Sequence, residues 1–78
     1  MVLDLKTEVK KAVETITRGR YTFSAHDVTK AVRNSVGPNK EVKHENVRPL
    51  AHKEMEFYIG EDLYGVVDNG RYLDYVPL

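Results

Sequence analysis

"YGVVDNGRYLDYVP", residues 64–77, decides the fold. Two runs rich in valine, tyrosine and leucine flank Asn69-Gly70. Asn and Gly accept the positive φ needed at both central positions of a type I′ turn, whose twist suits the strands it joins. The spacing therefore predicts a hairpin with Asp68 opposite Arg71, Val67 opposite Tyr72, Val66 opposite Leu73 and Tyr64 opposite Tyr75. Alternation puts Tyr64 and Tyr75 on the face of Val66 and Leu73, and Tyr72 with Val67 on the other. Pro77 closes the last strand at an edge, where its missing N–H breaks no ladder.

Most of the chain upstream reads as helix. Leu5, Val9, Ala12, Val13 and Ile16 recur at the spacing of one helical face. Asp4 can cap that helix and Gly19 ends it. "YTF", residues 21–23, is a short β-prone patch. Ser24 opens "SAHD", a capping box with Asp27 in place of Glu, and a second helix follows over about residues 25–34. Val28, Ala31 and Val32 form its apolar stripe. Gly37 suits a left-handed C-terminal cap, and Pro38 cannot continue the helix. In "ENVRPLAHKEM", residues 45–55, Val47, Leu50, Ala51 and Met55 share a face, with Arg48 and His52 expected on the opposite side. Pro49 fits a helix only near its start, so Asn46 is the expected N-cap, with Gly60 at the far end. Phe23 and Phe57 are expected in the core.

The chain has 78 residues, no cysteine and a formal net charge of zero. That length implies one domain with a thin core. Without cysteine there is no disulfide or thiolate metal site. No apolar run approaches the ~18 residues of a membrane span, and "MVLDLKTEVKKAV" (residues 1–13) lacks a secretory core. A soluble, cytoplasmic protein is expected. The charge is segregated along the chain. Residues 18–53 carry eight Lys or Arg against three acids, net +5, while residues 54–78 carry Arg71 against six acids, net −5. Such segregation is a hint of a polyanion-facing surface.

Helix, short strand, helix, turn, helix and hairpin, with "YTFSAHDVTKAVR" before the turn, "VRPLAHKEM" after it and "DNGR" at the hairpin, resemble the winged helix-turn-helix superfamily. The resemblance implies an α+β fold of three helices, a short strand and a C-terminal β-hairpin wing, in a single domain over residues 1–78. It also implies binding of double-stranded DNA, with the third helix in the major groove and the wing along the backbone or minor groove. Arg48, His52 and Lys53 are the expected base or phosphate contacts. Lys30, Arg33, Lys40, Lys43 and His44 are expected to flank the groove, and Arg71 to meet the minor groove. A cross-strand pair of Arg71 with Asp68, and a merely solvated basic face, are the bland readings of the same residues. Protonation of His44 and His52 would tighten binding near pH 6 relative to pH 8.

A lone domain offers few contacts, so a homodimer on a two-fold site is expected. The first helix, the hairpin edge, or an apolar patch of Val67, Tyr72 and Val76 could join it. The role would be that of a transcriptional regulator or a plasmid, phage or mobile-element factor. The rival is a protein–protein module of the same fold, favoured by zero net charge and the acidic C-terminal third; single-strand binding through tyrosines is a third reading. No metal pattern, cofactor motif, small-molecule site or nucleophile motif is present, so neither a cofactor nor an enzyme is expected.

Overall fold

Asp4 lies in extended backbone (φ −93°, ψ 92°) and accepts from the Thr7 N–H and hydroxyl at 3.3 and 2.7 Å. This cap satisfies an otherwise orphan amide and starts α1 (Leu5–Arg18) in the computed structural model, which describes residues 4–78. The opening of the N-terminal stretch, residues 1–3, lies outside the described residues. Arg20 takes positive φ (55°) after the helix. The chain then enters β1 (Phe23–Ser24), slightly later than the β-prone patch proper. Asp27 accepts the Ser24 N–H at 3.0 Å and opens α2 (Ala25–Val36), which runs two residues past its expected end. Gly37 closes it at φ 85°, ψ 172°, outside the left-handed helical well and in a region only glycine enters freely.

α3 spans His44–Gly60 and departs from expectation at its start. Asn46 is not the cap. The amides of Asn46 and Val47 both donate to the Lys43 carbonyl, at 3.0 and 3.2 Å, so the helix begins at His44. Pro49 is therefore the sixth helical residue, beyond the positions whose N–H groups lack an intrahelical acceptor. Tertiary contacts of His44, described below, hold this earlier turn against the preference of the proline.

β2 (Tyr64–Asp68) and β3 (Leu73–Pro77) form the hairpin, and β1 adds to the free side of β3, giving an antiparallel sheet in the order β1-β3-β2. The register differs from the predicted one. Val66 faces Tyr75, Val67 faces Asp74 and Asp68 faces Leu73. Asn69 donates to the Tyr72 carbonyl at 3.0 Å, so the central turn residues are Gly70-Arg71. Only Gly70 has positive φ (88°), the pattern of a type II′ turn rather than I′. Two side chains account for the slip. Asp68 Oδ1 accepts the Gly70 N–H at 2.8 Å, an Asx-type bond, and the Asn69 amide donates to Asp74. Asn69 is thereby used as a strand end. A shift of two in the pairing preserves the faces, so Tyr64 and Tyr75 still point inward together.

The core joins Val9 and Val13 of α1, Val28 and Val32 of α2, Val47, Ala51 and Met55 of α3, and Phe23, Val42, Tyr64 and Tyr75. Phe23 meets Tyr64 edge-on at a 5.8 Å centroid distance and lies 5.2 Å from Tyr75. Leu5, Ala12, Ile16 and Leu50 pack at its margin. Phe57 is a correction, being 63% exposed. Two residues beyond buried Met55, it lies about 200° round the helix. Among the described residues no helix is long and apolar enough to cross a membrane.

Candidate functional site

His44, Arg48 and His52 recur every fourth residue on α3 and form one stripe. At 100° per residue it lies about 60° round from the buried stripe of Val47, Ala51 and Met55, flanking the core rather than opposing it. This is why His44 is half-buried and His52 reaches Tyr75, where Nδ1 and the phenol oxygen are 3.0 Å apart. The hairpin stands over the stripe. Between them is a cleft of about 920 Å³, whose walls include His26, His44, Arg48, His52, Arg71 and Tyr72. Glu45, Asp68 and the apolar ring of Pro49 also line it.

The start of α2 closes one end. His26 and His44 lie parallel, with ring centroids 3.9 Å apart and 7° between planes. Tyr72 meets His26 edge-on at 6.1 Å. His44 Nδ1 is 2.9 Å from Thr29 Oγ1, and Thr29 is buried. Burial lowers the pKa of His44, with further lowering from His26, Arg48 and Arg33. Burial raises that of Tyr75, countered in part by Arg48, so the phenol stays protonated beside His52.

The residues expected to act together are only partly brought together. His44, Arg48, His52 and Arg71 share the cleft. Lys53 is exposed on α3, about 100° further round than His52 and outside the cleft wall. Lys30 and Lys40 are exposed elsewhere. Arg33 donates from Nε and Nη2 to the Val42 carbonyl, at 3.0 and 2.8 Å, and so ties α2 to the connector. Lys43 lies 3.8 Å from Glu41. Arg48 and Arg71 have no carboxylate within ion-pair distance among the described residues. Among the described residues the Asp68–Arg71 pair does not form: the register puts Asp68 opposite Leu73, and its Oδ1 accepts from the Gly70 amide.

His26 and Tyr72 are wall residues that the sequence does not place at the site. No spacing signal marks His26, since its approach to His44 is tertiary. Alternation about an Asn69-Gly70 turn puts Tyr72 on the outer face with Val67; with the turn one residue further on, Tyr72 closes it opposite Asn69 and meets His26. Among the described residues no three His, Asp or Glu side chains gather as a metal site. No protein-family profile matches the chain, and no curated protein or solved structure matches it.

Proposed function

We propose that this chain is a winged helix-turn-helix protein that binds double-stranded DNA. α3 supplies the major-groove contacts and the hairpin acts as the wing. The observation that carries the reading is the cleft between α3 and the hairpin, with Arg48 on the α3 wall and Arg71 on the hairpin wall, neither within ion-pair distance of a carboxylate among the described residues. A phosphodiester strand lying in that cleft meets a guanidinium from each side, and guanidinium geometry matches phosphate bidentately. Arg48 is also the side chain suited to guanine O6 and N7. The protein acts in the cytoplasm as a homodimer, in transcription regulation or in the maintenance of a plasmid, phage or mobile element. Dimerisation supplies the contacts that 78 residues lack.

A second reading, a protein-binding module of the same fold, is favoured by the exposed apolar hairpin residues Val66, Val67, Tyr72 and Leu73. Salt titration of binding to random-sequence duplex separates the two. Two phosphates held by Arg48 and Arg71, with Lys53 and Lys30 in support, correspond to a log–log slope between about −2 and −4. Arg48→Ala reduces that slope by about one unit. A slope near zero for the wild type supports the protein-binding module instead.

A further inference from the structure

The hydrogen-bond accounting at Thr29 fixes the tautomer of His44. A threonine hydroxyl has one proton. Thr29 Oγ1 lies 2.9 Å from the Ala25 carbonyl, which can only accept, so the proton goes there. The 2.9 Å contact between Thr29 Oγ1 and His44 Nδ1 then requires the imidazole to donate. A neutral His44 therefore carries its proton on Nδ1 and leaves Nε2 with a bare lone pair. Among the described residues Nε2 has no hydrogen-bond partner, and no enclosed side-chain nitrogen or oxygen lacks one. Nε2 thus meets solvent, and the open space beside His44 is the cleft. Turning the ring over by 180° keeps its plane, and so the stack on His26, but puts a carbon where Nδ1 meets Thr29 and loses that bond.

We infer that His44 Nε2 is a fixed hydrogen-bond acceptor that reads an exocyclic amino group, cytosine N4 or adenine N6, in the major groove. The inference rests on the DNA-binding reading above and names a specificity residue within it. Arg48, one turn further along the same stripe, offers donors, so the two present an acceptor beside a donor fork. Guanine shows acceptors at its major-groove edge, whereas cytosine and adenine show an amino group, so such a pair distinguishes neighbouring bases. Protonation inverts the His44 contact. Nε2–H becomes a donor and favours guanine O6 or thymine O4 instead. The groups whose charge bears on the ring are His26 and Arg33 on α2 and Arg48 on α3, while Glu45, Asp68 and Arg71 line the same cleft. The burial and cations that lower the His44 pKa keep the acceptor form dominant at neutral pH.

The test is selection of binding sites from a randomised duplex pool, at pH 8 and pH 5, with the wild type and two variants. His44→Asn keeps an N–H donor for Thr29 but removes Nε2. Thr29→Val keeps the shape but frees the tautomer. The wild type at pH 8 is expected to enrich a motif in which one position prefers cytosine or adenine by about 5- to 150-fold, the range of one good base contact. His44→Asn flattens that position alone, Thr29→Val weakens it, and at pH 5 the wild-type preference there falls or passes to guanine or thymine. A motif unchanged at every position by His44→Asn and by pH overturns the inference and leaves DNA binding standing. No enrichment of any sequence, with no salt-dependent retention of random duplex, overturns both.

Discussion

Replacing Pro49 by alanine should stabilise the protein. Pro49 is the sixth residue of α3, is exposed and lines the cleft. In an ideal helix its amide would donate to the Glu45 carbonyl. Proline has no amide, its ring crowds that carbonyl, and Arg48 before it is held helical against the preference of a pre-proline residue. A helix-interior proline costs about 3 kcal/mol relative to alanine. Against that gain, removing proline restores unfolded-chain freedom worth about 0.4–1 kcal/mol. Partial relaxation already present around the ring reduces the gain further, leaving a net of about 1–2.5 kcal/mol. For a domain of this size each kcal/mol moves Tm by about 4–8 °C, so a rise of roughly 5–20 °C is expected in thermal unfolding followed by circular dichroism. The sign is diagnostic. If the helix began after an Asn46 cap, Pro49 would be its third residue, no hydrogen bond would be gained, and the variant would lose about 0.4–1 kcal/mol. A lower Tm would refute the helix start at His44.

Met55→Ala removes a side chain with no exposed surface at the centre of the core and should cost about 2–5 kcal/mol, whereas Met55→Leu should cost under about 1.5 kcal/mol; equal midpoints for the two in urea would show a loosely packed core. Gly37→Ala meets no atom within 4 Å, yet should lose about 1–3 kcal/mol from backbone strain alone, and an unchanged midpoint would mean the α2 end adopts another conformation. For His44 the folded-state pKa lies below the ordinary histidine value of about 6.5, so the unfolded chain binds the proton more readily. Its contribution to stability is then full above about pH 6.5 and is lost as pH falls through the folded value. Wild-type Tm should accordingly drop more than that of His44→Asn between pH 8 and pH 5, and parallel pH profiles would contradict the burial of this ring.

The helices were legible because period 3.6 is written directly in Val9, Val13 and in Val47, Ala51, Met55, and the hairpin because Asn69-Gly70 separates two β-prone runs. What was not legible depended on contacts between distant residues or on side chains competing with the backbone. Asn69-Gly70 specifies a turn, but Asp68 and Asp74 draw Asn69 into the strand and move the turn by one residue. Pro49 marks a helix start only when nothing else fixes it. Here Thr29 and His26 grip His44 and nucleate the helix earlier. The candidate site divided the same way. Arg48 and His52 follow from helical spacing, while His26 required the starts of α2 and α3 to be brought side by side.

Charge along the chain also reads differently once folded. The middle third carries the surplus cations, but Arg33 is fastened to Val42 O, Lys43 lies by Glu41, and Arg20 donates to the Leu78 carbonyl at 2.7 Å. Within the cleft Arg48 and Arg71 stand against Glu45 and Asp68, so its fixed charges nearly cancel. The lowered pKa of His44 delays its charge, so the tightening expected from His44 near pH 6 is displaced to lower pH. At neutral pH the cleft holds two separated guanidinium groups and a fixed lone pair rather than a strong positive field. Such a surface gains less from long-range attraction than from local geometry. A site of that kind discriminates between partners by which groups it leaves unpaired.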